Sequence, residues 1–173
     1  MNAVEQTRQW LESFIVKLNI CPFAKQPLED GRIGYYDCDS VELADTLMSL
    51  ASQIVALEQN DTVETSLFIL SKGYKHFDDF LELIEFSDAL IDQQQWRGAF
   101  QLAHFHPGYQ FDGCDFDDPA NHTNRSPLPT LHIIRESSIT QAHQLHHDLE
   151  SIPARNIELL RKLATKKEQK KHR

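Results

Sequence analysis

Two hydrophobic periods alternate along the chain, and their alternation sets out the expected elements. Val4, Leu11, Phe14, Ile15 and Leu18 recur at helical spacing and predict an amphipathic helix over about residues 2–18. It should end at Asn19, ahead of Cys21-Pro22, because a residue preceding proline resists helical dihedrals. Arg32 to Asp37 predicts a short strand around Ile33, Tyr35 and Tyr36. Asp39 or Ser40 is then the expected cap of a long helix carrying Leu43, Leu47, Leu50, Ile54 and Leu57. Val63 to Leu70 is apolar without interruption at its end, as in a buried central strand. A further helix is expected from Phe77 to Trp96, with Phe77, Phe80, Leu81, Ile84 and Ile91 inward, ended by Gly98. Phe100 to Phe105 and Thr130 to Arg135 predict two more strands. A helix from Ile139 to Leu149 follows, and Ile152-Pro153 opens a last one with Ile157, Leu160, Leu163 and Ala164.

Between Pro107 and Pro129 no period survives, and four of the seven prolines and two of the six glycines fall there. A structureless stretch this long inside a compact domain is usually functional or disordered. Tyr109, Phe111 and Phe116 argue for order, since disordered segments are poor in aromatic groups. Helices between the early strands favour right-handed parallel crossovers, whereas the last two strands have no helix between them and are expected to pair antiparallel. The expected fold is α/β, a small mixed sheet of about four strands with helices packed on it; an α+β, ferredoxin-like arrangement is the alternative. Residues 1–154 are expected to form the single domain, and 155–173 a C-terminal basic helix and tail.

Composition narrows the function classes. With 173 residues, 40% hydrophobic and 25% charged, the chain is an ordinary globule able to bury a core without staples. No apolar run is long enough to cross a bilayer, and residues 1–10 lack the basic-then-apolar pattern of a signal. Three scattered cysteines make no disulfide framework, so a cytoplasmic location is expected. The net charge of −9 divides into −15 through Ala154 and +6 from Arg155 onward. An acidic body repels phosphate backbones, so neither nucleic acid nor membrane is expected as a partner.

The stretch from His104 to Arg135 concentrates acid–base, metal-binding and anion-binding side chains. Alternate strand residues share a face, so Phe100, Leu102, His104 and His106 form an apolar face ending in two imidazoles. His104 and His106 are the expected catalytic groups, as general acid and base or as ligands of a divalent metal. Asp117, Asp118 and Asn121, with Asp112 and Asp115 nearby, could orient them. The competing structural reading has the two histidines bonding loop carbonyls. His132 would join them if its strand is a neighbour. Asn124, Arg125 and Ser126 form a candidate cradle for phosphate or carboxylate, with Arg135 as a second arm. Alternatively Arg125 pairs with the loop aspartates as a staple; three donors in a row favour an open pocket.

Cys21, in C-P-F-A beside Lys25, is a candidate nucleophile if an imidazole reaches it, and otherwise a small buried residue at a helix exit. His143, His146 and His147 have helical metal-binding spacing but lack the glutamate of H-E-x-x-H, which favours a solvated face. There is no Walker A, G-x-G-x-x-G or G-x-S-x-G sequence, so the common nucleotide-binding and serine-hydrolase readings fall away.

The combination of C-P-F-A (21–24), F-H-P-G-Y-Q-F-D-G (105–113) and D-D-P-A-N-H-T-N-R-S-P-L-P-T-L-H-I-I-R-E (117–136) resembles a bacterial family of unknown function over nearly the whole chain except the basic tail. The resemblance implies no activity; it implies that Cys21, His106, Asn121, Asn124, Arg125, His132 and Arg135 occupy motif positions and that the Cys21 loop and the long loop form one site. The leading expectation is a small enzyme acting on a small anionic substrate. The alternative is a non-catalytic module that binds a small ligand or a protein.

Overall fold

The computed structural model describes residues 1–145 and 149–171. Asn2 caps helix α1 (Ala3–Trp10): its side chain accepts the Glu5 N–H while the Glu5 carboxylate accepts the Asn2 N–H. Where the sequence predicts one continuous helix, the chain widens into a π-helical turn at Leu11–Val16. The buried residues explain it. Ala3, Thr7, Leu11 and Ile15 recur at every fourth position, which outruns an α-turn, and a looser winding brings the row back onto the sheet.

After a short helix α2 (Lys25–Glu29) the order is β1 (Ile33–Cys38), α3 (Leu43–Glu58), β2 (Thr65–Leu70), α4 (Phe77–Gln93), β3 (Phe100–Phe105), a 3-10 turn (Pro119–Thr123), β4 (Thr130–Arg135), α5 (Glu136–Leu145) and α6 (Ile152–Lys171). The sheet is mixed, in the order β1-β2-β4-β3. β1 and β2 are parallel, and β4 lies antiparallel between β2 and β3. The expected antiparallel pair of β3 and β4 is therefore present. The cap expected at Asp39 or Ser40 is not: α3 begins after Glu42 without a side-chain cap, and Asp39 pairs with Lys72 instead.

Each face of the sheet carries its own core. Phe68, Leu70, Leu131, Ile133 and Phe100 pack under α3 and α4 against Leu50, Ile54, Phe80, Leu83 and Ile91. Leu67 and Ile69 point to the other face, against Ala3, Leu11, Ile15, Ile20 and Leu160. β2 is thus buried on both sides, as its unbroken apolar run requires. Leu81, expected inward, is 41% exposed, because the buried row of α4 runs through Phe80, Leu83, Ser87 and Ile91.

α6 starts at Ile152, so residue 154 falls inside a helix and not between two units. Leu160 enters the core, buried Asn156 donates to the Ile20 carbonyl at 2.7 Å, and Arg161 pairs with Asp118. Among the described residues no helix is long and apolar enough to cross a membrane. The proposed histidine face involves His146 and His147, which lie outside the described residues, as does the His143 side chain.

Candidate functional site

β1, β2 and β3 run parallel to one another, so they end at one edge of the sheet, where β4 begins. The loop of residues 106–129 covers that edge. It is built as a knot of side chains bonded to backbone. Asn121, fully buried, accepts the Phe111 N–H and donates to the Asp115 and Phe116 carbonyls. Asn124 donates to the His104 carbonyl, and its own carbonyl accepts the His106 N–H. Ser126 bonds the Leu128 carbonyl. Tyr109 stacks on His104 and meets Phe77 and Phe111 edge-on or tilted, with ring centroids 5.0–5.6 Å apart. A segment with no period is ordered because its polar side chains replace the hydrogen bonds that a helix or strand would have made.

His106 is 2% exposed, and both ring nitrogens are occupied. Its Nε2–H donates to the Tyr74 carbonyl at 3.0 Å, and Nδ1 accepts the Gly108 N–H at 2.9 Å. Burial lowers its pKa, against the opposing pull of the Tyr74 and Lys75 carbonyls, so the ring is neutral with no free nitrogen. The expected catalytic or ligating His106 is a brace instead: it holds Tyr74, a bulky residue in the left-handed region at φ 58°, against the end of β3. His104 differs. Its Nδ1 is buried without a partner, and burial lowers its pKa while Asp88 on α4 opposes the shift.

His132 does not join this pair. It stands opposite Ala103 and Leu67 in the ladders, which puts it on the other face of the sheet from His104. The Thr65 hydroxyl, 2.6 Å from its Nε2, donates to the Ile133 carbonyl, so Nε2 carries the ring proton. Desolvation pulls the His132 pKa down to about 4. Above it, Phe105 and Trp10 meet edge to face at 5.2 Å, and the Trp10 indole N–H is buried without a partner.

Arg125 is held within the loop. Its Nε donates to the Tyr109 carbonyl at 2.9 Å, one Nη donates to the Phe116 carbonyl at 2.7 Å, and its guanidinium lies 4.5 Å above the Phe116 ring. It staples the loop, but through carbonyls and an aromatic face and not through the expected aspartates. Arg135 is not a second arm. It lies at the far end of β4 and donates to the Leu57, Asn60 and Val63 carbonyls, closing the C-terminal end of α3.

Asp118 caps the 3-10 turn through Ala120 and binds Arg161, which holds its carboxyl below the usual range. It fastens α6 to the loop. Asp117 is exposed. Cys21 packs in the core on the α1 and α6 side. Burial raises its thiol pKa despite the Phe23 and Ala24 N–H groups and nearby Arg155, the opposite of what a nucleophile needs. Among the described residues no three His, Cys, Asp or Glu side chains converge to hold a metal ion.

Sequence reasoning missed Tyr74 and Thr65. Tyr74 acts through its carbonyl, which carries no sequence signal, and Thr65 matters only once β2 and β4 are neighbours. A family model described as "Protein of unknown function (DUF1415)" matches residues 2–170. The chain belongs to that family. The match continues through the basic helix, where the motif resemblance was expected to stop, in keeping with the anchoring of α6 by Asn156, Leu160 and Arg161. No curated protein and no solved structure matches the chain.

Proposed function

We propose that this family member is a non-catalytic binding module that takes a small anionic group at Arg125. One observation carries the reading. Arg125 is fixed by two carbonyls and an aromatic ring, yet among the described residues no carboxylate forms an ion pair with it. This is so although Asp112, Asp115, Asp117 and Asp118 share its loop. A positioned guanidinium with charge to spare is preorganised for a phosphate or carboxylate, because ordering costs little when the ligand arrives. Of the two histidines expected to do proton chemistry beside it, His106 has both ring nitrogens engaged by backbone groups.

The test is titration of the protein with phosphate, sulfate and small mono- and dicarboxylates, following melting temperature and the Arg125 Nε–H resonance. Saturable stabilisation that grows with ligand concentration, together with a shift of that resonance, is expected. Indifference of both to every anion would refute the reading. A catalytic reading of the same loop is favoured by the unpartnered His104 Nδ1. It requires turnover that His104→Gln abolishes while anion binding persists.

A further inference from the structure

The outer surface of the α3–α4 layer carries apolar groups that the fold leaves uncovered. On α3, Ala44, Met48, Ala51 and Val55 follow helical spacing on the side away from the core; Met48 is 64% exposed and Val55 37%. Ser49 bonds Cys38, at the end of the edge strand β1, so the opposite flank of α3, with Leu47 and Ala51, faces α4. On α4, Phe77 touches His106 and Asp88 lies near His104, so that flank overlooks β3. The opposite flank, with Leu90 and Phe86, therefore faces α3, and Phe86 is 44% exposed. Met48, Val55 and Phe86 thus border one shallow groove between the helices.

Its rim is acidic. On α4, Asp79 and Glu82 share the row of Phe86 at helical spacing, whereas Asp88 lies on the flank over β3, and the helix carries no lysine or arginine. The chain's own opposite charge is at its other end. From Arg155 to Arg173 there are 8 basic and 2 acidic residues. Lys162 pairs with Glu158 and the Thr165 hydroxyl donates to the Arg161 carbonyl, both within the helix. Leu163 is 38% exposed, between Lys162 and Lys166.

We infer that the groove between α3 and α4 is a docking surface for the C-terminal basic helix of a second copy of this chain. Leu163 supplies an apolar anchor for Met48 and Phe86, and the lysines meet the carboxylates of α4. An amphipathic helix laid in an apolar groove is a recurrent mode of recognition, and here the charge complement is built into the chain. The helix and the groove lie on opposite faces of the sheet, so the contact joins the α6 side of one copy to the α3–α4 side of the next, head to tail.

The experiment is a charge exchange at exposed positions. One variant carries Asp79→Lys and Glu82→Lys; the other carries Lys162→Glu and Lys166→Glu. Molar mass is measured by light scattering for the wild type, each variant and their mixture, at low and high salt. The wild type is expected to self-associate at low salt and dissociate as screening grows. Each variant alone is expected to be at least tenfold weaker in association, and the mixture to recover it, because both contacts then pair opposite charges again. Each variant's circular dichroism and melting curve show that it is folded. A wild type that stays monomeric at low salt overturns the inference. So does self-association that ignores salt and both charge reversals, or a mixture no stronger than its parts.

Discussion

Two histidines two residues apart on one strand end should respond to different degrees to the same substitution, His106→Leu and His104→Leu. Leucine approximates the imidazole in volume and removes its polar atoms, so the hydrogen-bond contribution is isolated from a cavity. At His106 the change leaves the Tyr74 carbonyl and the Gly108 N–H without their partners at a nearly inaccessible position. Each unsatisfied buried group costs about 1–3 kcal/mol, giving about 2–4 kcal/mol once some relaxation is allowed. Retained contact with Phe77 and Phe80 limits further loss. At His104 the ring brings a buried nitrogen with no partner. Its removal relieves that unpartnered nitrogen, so His104→Leu should cost less than about 1 kcal/mol. For a domain of this size 1 kcal/mol moves the melting temperature by roughly 2–4 °C, which puts His106→Leu about 5–15 °C below the wild type. Urea unfolding with an unchanged slope provides the independent value. Equal effects, or a more severe effect at His104, would refute the assignment of His106 as brace and of His104 as the freer ring.

Acid sensitivity should trace to His132. Its folded pKa of about 4 lies below the ordinary histidine value of 6.5, so the unfolded chain binds the proton more tightly. Its stabilising contribution is full above pH 6.5 and lost as pH falls from 6.5 towards 4, at most about 3 kcal/mol; urea titrations should show that slope, and His132→Gln should flatten it. A chain ending at residue 154 should fail to give a cooperative transition, since it lacks Asn156 and Leu160, whereas one ending at residue 166 should melt within a few degrees of the full chain. Cys21 should alkylate more slowly at pH 7 than a free thiol, because burial raises its pKa; rapid labelling under native conditions would remove that argument. The loop of residues 107–129 should resist limited proteolysis in the wild type and become a cleavage site in Asn121→Ala, which removes three hydrogen bonds at one buried position.

Local chemistry determined the elements and much of their packing. The apolar run in β2, the period of α3 and α4 and the lone strands β3 and β4 were legible because each depends on spacing within a few residues. The long loop could be recognised as ordered from its aromatics alone. Sequence did not decide which polar residues were free to act. His104 and His106 look alike in the chain, and only the position of the Tyr74 carbonyl and the turn at Gly108 consume one ring and leave the other. Arg125 and Arg135 look like two arms of one cradle, yet an antiparallel β4 carries them to opposite ends of the sheet. His132 went to the far face for the same reason, since pairing with Ala103 fixes which way it points. Hydrophobic periodicity is written along the chain because burial acts on each side chain singly. A polar side chain has a role only once its partner is known, and that partner is a backbone group from a distant segment that only the folded chain brings near.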